Sequence, residues 1–187
     1  MQTIRSFIAL ELTSKVQKQL GNIQEELKKS DADVKWVNPE GIHLTLKFLG
    51  NVSPQLLEEI KKALTQLAKS HKSFELKISQ IGAFPTTEHP RVIWVGIEEG
   101  REETLKLAQD LEERLIKFGF LKEKRAFKAH LTLGRVRSAR NRAQLKKLLQ
   151  SLSFPKTAMQ AETLILFKST LSPKGATYQA LHQVKLS

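Results

Sequence analysis

Apolar residues recur along the chain at two alternating spacings, which predict strands and helices in turn. Residues 4–12 are rich in strand-forming types, and an apolar stripe at helical spacing follows over 16–27. Thr13 or Ser14 is the expected cap of that helix. The rest of the first half predicts a short strand over 35–37, a strand over 43–49, a helix opened by Ser53 and Pro54, and a strand over 74–84.

The same order of elements returns in the second half. We predict strands over 92–98 and 130–136, helices over 103–118 and 140–152, and further strands over 163–167 and 178–184. His130 follows His43 by 87 residues, and Trp94 follows Phe7 by the same 87. A constant offset without gaps indicates internal duplication.

The duplication predicts an α+β fold in which two α/β lobes with mainly antiparallel sheets flank a central cleft. We expect a single two-lobed domain over 1–187, with approximate repeats 1–87 and 88–187. The helix stripes should cover one face of each sheet and leave the other face to line the cleft.

Composition narrows the classes of function. The chain has no cysteine, which excludes disulfides and thiolate chemistry, and its net charge is +12. Lysine and arginine crowd into 122–147, which favours a nucleic-acid partner over a purely solubilising role. We find no apolar run long enough for a membrane span and no signal-peptide pattern, so we expect a cytoplasmic protein without a membrane partner.

One tetrapeptide, HLTL, occurs at 43–46 and again at 130–133, in both cases within a predicted strand. Side chains alternate across a strand, so His43 and Thr45 share one face while the leucines share the other. The same holds for His130 and Thr132. The leucines should pack under the helices, and the histidines and threonines should meet in the cleft.

Two imidazoles and two hydroxyls suit phosphoryl transfer without a metal or other cofactor. Histidine can take a proton from water or give one to a leaving oxygen, and threonine can hydrogen-bond phosphoryl oxygens. One alternative is that each tetrapeptide is only an amphipathic strand with a structural histidine. A zinc site is another, although neither motif supplies a carboxylate. We interpret His71, His89 and His182 as surface residues.

The two copies differ just after the motif. Lys47 and Phe48 in the first correspond to Gly134 and Arg135 in the second. Strict alternation places Lys47 on the face of His43 and Arg135 on the opposite face from His130, but a bend at Gly134 would bring Arg135 to the phosphate. Unequal charge beside the two imidazoles would separate their pKa values.

The paired motifs resemble the two-histidine phosphoesterase superfamily, and most closely its LigT-like RNA 2′,3′-cyclic phosphodiesterases, also called 2′-5′ RNA ligases. The resemblance extends over the whole chain through further matching segments and residues: 5–9, 43–50, 84–85, 91–96, 127–135, Ser169 and Tyr178. Ala129 departs from the proline common in the family at this place, but the change removes no reacting group.

The resemblance implies a phosphoric diester hydrolase that opens a terminal 2′,3′-cyclic phosphate to a 2′-phosphate, with reversible 2′-5′ joining as a related reaction. It implies that His43 is the proton donor and His130 the proton acceptor. Thr45, Thr132 and Arg135 would bind the phosphate. The implied partners are RNA ends, tRNA halves among them, and the implied enzyme is a monomer that needs no cofactor.

Further contacts to the base or backbone are less sharply defined. Lys47, Phe48, Trp36 and Phe84 are candidates, and for the aromatic residues a place in the core is the alternative. Two other functions remain open from the sequence. One is a non-catalytic RNA-binding module, and the other is a phosphodiesterase for small cyclic nucleotides or 2′-5′ oligoadenylate.

Overall fold

The structure is a computed structural model that describes residues 3–173 and 175–187. The strands are β1 (Ile4–Leu10), β2 (Val34–Trp36), β3 (Leu44–Val52), β4 (Phe74–Pro85), β5 (Pro90–Glu99), β6 (His130–Val136), β7 (Thr157–Ala161), β8 (Thr163–Ser172) and β9 (Gly175–Lys185). The helices are α1 (Ser14–Lys28), α2 (Pro54–Lys69), α3 (Arg101–Ile116) and α4 (Arg142–Ser151). In the described ranges, no helix is long and apolar enough to cross a membrane.

The helix starts follow from local capping. Thr13 accepts a hydrogen bond from the Val16 amide at the start of α1, and Ser53 accepts one from the Leu56 amide at the start of α2. Pro54 occupies the first turn of α2, where its missing amide hydrogen costs nothing. The caps predicted at the two first-half helices are therefore confirmed.

Two antiparallel sheets carry the fold. Sheet A has the strand order β3-β1-β8-β9, and sheet B has the order β2-β6-β5-β4-β7. The α+β class and the mainly antiparallel sheets are confirmed. The strand β7 was not predicted, because its sequence TAMQA carries a weak alternation of small residues.

Strands are exchanged between the two halves of the chain. The last strand of the first repeat, β4, pairs with β5 in sheet B, and the matching strand of the second repeat, β8, pairs with β1 in sheet A. The short β2 also crosses over and pairs with β6. The sheets therefore do not coincide with the sequence halves, because each of them contains strands from both repeats.

The helices cover the inner faces of the sheets and close one continuous core. Ile8 and Leu44 of sheet A belong to the same apolar cluster as Ile93 and Leu131 of sheet B, and all four are fully buried. Helix α2 lies against β8 and β9, and α4 lies against β4. A separate, smaller cluster forms on the other face of sheet A, from Phe7, Ala9, Ile165, Phe167 and Tyr178. We call this outer side of both sheets the cleft face.

Candidate active site

Matching strands place the two motif histidines. His43 immediately precedes β3, and His130 is the first residue of β6. Leu44 and Leu131, the next residues, are fully buried in the core, while both histidines are partly exposed. The alternation predicted for the HLTL motifs therefore holds in both copies.

Each motif strand has a β-bulge at the same position of the repeat. In β3, Thr45 lies opposite Ala9 and Lys47 opposite Ile8, so Leu46 is an extra residue. In β6, Thr132 lies opposite Trp94 and Gly134 opposite Ile93, which makes Leu133 the extra residue. Because a bulge shifts the alternation by one residue, every side chain beyond it changes face.

The bulge in β3 overturns the prediction for Lys47. Its side chain lies on the core side and is 5% exposed. The ammonium contacts Glu112 at 2.7 Å and Glu123 at 3.3 Å, and it donates a hydrogen bond to the Leu121 carbonyl. The next residue, Phe48, turns to the cleft face instead, with its ring 5.9 Å from that of Phe7 and a fractional exposure of 62%.

The bulge in β6 brings Arg135 to the cleft face, as the predicted bend at Gly134 would do. Arg135 lies opposite Val92, two residues before Trp94 on β5, and so shares the face of Thr132. Gly134 then faces the core, where an added Cβ would lie 2.7 Å from Val34 and 3.0 Å from Trp36. Trp36, a candidate base contact from the sequence, is partly buried and packs against the core beside Gly134.

His43 lies in a cage of aromatic rings. Its ring centroid is 4.4 Å from that of Phe167, 5.2 Å from Tyr178 and 5.7 Å from Phe7. Burial lowers the pKa of His43 to about 4, against the opposing effect of a hydrogen bond with the Gly41 backbone. The imidazole is therefore neutral at neutral pH in the free protein.

His130 has the matching backbone contact. Its Nδ1 lies 2.6 Å from the Lys128 carbonyl, two residues back, as Gly41 is from His43. A carbonyl only accepts, so Nδ1 carries the proton and Nε2 keeps its lone pair in the neutral ring. Burial lowers the pKa of His130, the Lys128 bond raises it, and the charge of Arg135 lowers it again, with a net decrease. Phe84 packs edge-on against the ring at 5.1 Å.

Both histidines face one cleft. The strands β3 and β6 approach each other within 8 Å between Cα atoms. Tyr178 touches His43 from sheet A, and its pKa is raised by burial but lowered by the charge of Arg135 from sheet B and by that of Arg5. Arg135 also acts on His130. The charge of Arg135 therefore acts on His130 and on Tyr178, the residue that contacts His43.

The motif threonines complete the polar lining. Thr45 and Thr132 are partly exposed on the cleft face, and neither hydroxyl forms a hydrogen bond within residues 3–173 and 175–187. Both hydroxyls are thus free to donate to an oxyanion. Two neutral imidazoles, two hydroxyls and one guanidinium can exchange protons with a phosphate ester and hold its negative charge. In the same ranges, no group of three or more His, Cys, Asp or Glu side chains could hold a metal ion.

Sequence reasoning missed a residue that supports the site from behind. Gln24 on α1 is 1% exposed and donates hydrogen bonds to the carbonyls of Val37, at 2.7 Å, and Leu133, at 2.8 Å. Leu133 is the extra residue of the β6 bulge, so Gln24 satisfies a carbonyl at the distortion that turns Arg135 outward. Its position among the leucines of an apolar helix stripe was the only available signal.

The other histidines lie away from the cleft. His89 is exposed on the loop between β4 and β5, as predicted. The interpretation of His71 and His182 as surface residues is wrong, because both are partly buried and contact helices. His71 is 10% exposed with its Nε2 at 2.9 Å from Asp110 on α3, and the Nε2 of His182 lies 3.1 Å from the Thr65 hydroxyl on α2.

Comparison with known proteins agrees with this geometry. The family model of LigT-like phosphoesterases matches the chain twice, over residues 10–94 and 95–178. The chain is 36% identical to an RNA 2′,3′-cyclic phosphodiesterase of Archaeoglobus fulgidus, over 95% of this chain and 98% of that protein. It is 34% identical to one of Methanothermobacter thermautotrophicus, over 98% and 99%.

Solved structures show the same fold. The Thermus thermophilus protein TT0787 matches with a TM-score of 0.81 and 26% identity, over 98% of each chain. Escherichia coli LigT in complex with 3′-AMP matches with a TM-score of 0.75 and 24% identity, over 99% of each chain. The double match of the family model also agrees with the internal duplication predicted from the sequence.

Proposed function

The chain belongs to the LigT-like phosphoesterase family, and we propose that it hydrolyses the 2′,3′-cyclic phosphate at RNA ends to a 2′-phosphate. The observation that carries the proposal is the pair of imidazoles on matched strands of one cleft, with the charge of Arg135 acting on His130 and on Tyr178, which contacts His43. Relatives that match nearly the whole chain carry the name of this activity. The net charge of +12 suits a polyanionic substrate.

In the proposed mechanism, His130 is the base and His43 the acid. The Nε2 of His130 takes a proton from water, and the water oxygen attacks phosphorus opposite the ribose 3′ oxygen. The bond from phosphorus to the 3′ oxygen breaks, and His43 gives that oxygen its proton. The product has a 3′ hydroxyl and a 2′-phosphate, and one proton must then return from His130 to His43 through solvent.

The phosphate oxygens need donors in the transition state. We assign this role to the hydroxyls of Thr45 and Thr132 and to the guanidinium of Arg135, which occupy the cleft face beside the two histidines. Preorganised donors in a partly buried site stabilise developing charge strongly. Phe48 and Phe84, both in the cleft, are the aromatic surfaces on which a base can stack.

Substrate binding changes the protonation that the free site favours. His43 must carry a proton to act as the acid, yet burial lowers its pKa to about 4 in the free protein. An anionic phosphodiester beside the imidazole favours the charged ring and raises that pKa. Binding of the substrate and protonation of His43 are therefore coupled.

The proposal extends to the reverse type of reaction and to the natural partner. A 5′ hydroxyl in place of water would join two RNA ends through a 2′-5′ bond by the same proton transfers. We propose that the substrates include tRNA halves and that the enzyme acts as a monomer, since one chain supplies both histidines. RNA substrates also suit a cytoplasmic enzyme.

The first test is hydrolysis of an RNA oligomer ending in a 2′,3′-cyclic phosphate, with EDTA present. We expect a 2′-phosphate product from the wild type, and rates reduced about 10²–10⁴-fold in His43→Ala and in His130→Ala. His89→Ala is the matched control, because that histidine is exposed and outside the cleft, and it should retain the wild-type rate.

The alternatives predict other outcomes. An RNA-binding module without activity would bind the oligomer equally well in all four proteins and hydrolyse it in none. A phosphodiesterase for small cyclic nucleotides or 2′-5′ oligoadenylate would turn those substrates over faster than the RNA oligomer. Unchanged rates in both histidine variants would remove the proposed acid and base.

A further inference from the structure

We propose that Arg5, Ser169 and Tyr178 form a second anion subsite, which binds the phosphodiester on the 5′ side of the terminal nucleotide. The inference rests on the proposed function and extends it to the path of the RNA. None of the three residues belongs to the acid, the base or the donors assigned to the reacting phosphate.

The register of sheet A brings the three residues together. Ser6 on β1 lies opposite Lys168 on β8 in the last pair of this ladder, and Arg5 and Ser169 are the next residues of the two strands. Ser169 in turn lies opposite Tyr178 on β9. The three residues therefore form a row on neighbouring strands, one step beyond the row of Phe7 and Phe167, whose stacked rings contact His43.

Within the described ranges, the Arg5 guanidinium forms no ion pair, and the hydroxyls of Ser169 and Tyr178 form no hydrogen bonds. Burial raises the pKa of the Tyr178 phenol, and the positive charge of Arg5 opposes that shift, as expected for two groups on one face of the sheet. A guanidinium and two hydroxyl donors on one face match the oxygens of a phosphodiester.

Charge on this face also favours an anion. The cleft-facing positions of β1, β3, β8 and β9 include no aspartate or glutamate among the described residues. An anion over Arg5 would therefore meet no carboxylate from its own sheet. Sheet B differs, because Asp33 immediately precedes the edge strand that carries Lys35, the cation opposite Arg135.

The in-line geometry selects this side of the cleft for the RNA. Water activated by His130 enters from sheet B, so the 3′ oxygen, the ribose and the preceding nucleotides lie towards His43 and sheet A. On that side, Tyr178 belongs to the aromatic cage, and Arg5 and Ser169 lie next to it on the neighbouring strands. The 5′ neighbour phosphate is the next anion of the substrate along this direction.

The experiment compares two substrates that differ by that one phosphodiester. One is a nucleoside 2′,3′-cyclic phosphate, and the other is a dinucleotide with the same 2′,3′-cyclic end. Charge-assisted hydrogen bonds typically change an equilibrium by roughly 10–100-fold. We expect the wild type to prefer the dinucleotide in kcat/KM by about 10-fold or more, and Arg5→Gln to lose most of that preference.

Lys35→Gln is the matched control, since it removes an exposed cation from the cleft face of the other sheet. It should keep the larger part of the dinucleotide preference. If Arg5→Gln keeps the preference, or if Lys35→Gln loses it instead, the subsite is not at Arg5. A wild type that hydrolyses neither substrate would refute the proposed function itself, which is a different result from a wild type that hydrolyses both equally.

A second measurement does not depend on turnover. Tyr178 is the single tyrosine of the chain, so its ring gives one assignable NMR signal in tyrosine-labelled protein. We expect this signal to shift on adding a dinucleotide 2′-phosphate, and the shift to be smaller in Arg5→Gln. An identical shift with the matching nucleoside 2′-phosphate would show that Tyr178 senses only the reacting phosphate, and would overturn the subsite.

Discussion

The surroundings of His43 disfavour the protonated imidazole that its proposed role as the acid requires. Three aromatic rings, from Phe7, Phe167 and Tyr178, surround the imidazole and remove water from it. The loss of hydration disfavours the charged ring, so its pKa falls to about 4.

The lowered pKa of His43 predicts a loss of stability in acid. As pH falls below about 6.5, the unfolded chain binds a proton at this residue that the folded chain does not bind until about pH 4. Between about pH 7 and pH 4.5, we expect the wild type to lose roughly 2–3 kcal/mol of unfolding free energy relative to His43→Gln. Urea unfolding of both proteins at the two pH values measures the difference, and parallel losses in the two would contradict it.

The pH dependence of kcat/KM follows from the free site. The proposed reaction needs one protonated and one neutral imidazole, and burial lowers the pKa of both His43 and His130. We therefore expect a bell-shaped profile with its maximum below about pH 6.5, and a kcat profile displaced to higher pH because the bound anion favours protonation.

The variant Arg135→Gln tests how far the charge of Arg135 lowers the pKa of His130. Removing this positive charge should raise the pKa of His130 and leave that of His43 nearly unchanged, as followed by NMR titration of the ring protons. A kcat/KM that does not change between about pH 5 and pH 8, with chemistry shown to be rate-limiting, would argue against the two-histidine mechanism.

At the scale of elements, the paired bulges determine which side chains of β3 and β6 lie on the cleft face. Leu46 and Leu133 are the extra residues in β3 and β6, and the residues two places beyond them, Phe48 and Arg135, turn to the cleft. The duplication thus turns an aromatic ring to the cleft after the first motif and a cation to the cleft after the second.

Lys47, which the bulge in β3 turns towards the core, links β3 to α3 through an ion pair. Lys47 is nearly buried, with its ammonium 2.7 Å from Glu112, whose side chain is 22% exposed. Removing one partner of a buried pair leaves an uncompensated charge, so we expect Lys47→Met to lower the unfolding free energy by about 2 kcal/mol, a value reduced for the partial exposure of Glu112.

Two further variants define the Lys47 effect. Lys61→Met breaks an ion pair with Glu58 on the exposed surface of α2 and should change stability by less than about 0.5 kcal/mol. Adding Glu112→Gln to Lys47→Met should recover part of the loss, because it removes the orphaned carboxylate. Equal effects of Lys47→Met and Lys61→Met in urea unfolding would show that burial of the pair is unimportant.

At the scale of the whole molecule, the exchange of β4 and β8 makes the two repeats interdependent. Each repeat provides its histidine strand to one sheet and its last strand to the other. The core is correspondingly continuous, with buried residues of both sheets in one cluster. The relative position of the two histidines therefore depends on the exchanged strands and on the apolar core that both sheets share.

This exchange predicts that neither half folds alone. Fragment 1–87 would leave one edge of β1 unpaired, and fragment 88–187 would leave β5 without β4. We expect poorly dispersed amide spectra from each fragment and recovery of the native spectrum when they are mixed. The matched control is the full chain cleaved in the loop between β4 and β5, which should stay folded. A cooperative unfolding transition in isolated 1–87 would contradict the prediction.

Much of the site was predictable because its signal is local. The two HLTL motifs, their strand periodicity and their constant offset identify His43, Thr45, His130 and Thr132 without any knowledge of packing. The helices were predictable for the same reason, since Ser53 and Pro54 cap α2 next to an apolar stripe. Arg135 needed one further assumption, a bend at Gly134.

The sequence by itself thus determined the chemistry, the duplication and the α+β class, because those depend on residue type and on periods of a few residues. Only the tertiary structure decided the faces of Lys47 and Trp36, the exchange of β4 and β8, and the row of Arg5, Ser169 and Tyr178. A bulge is one extra residue that no period reveals, and pairing between strands distant in sequence depends on how the whole core closes.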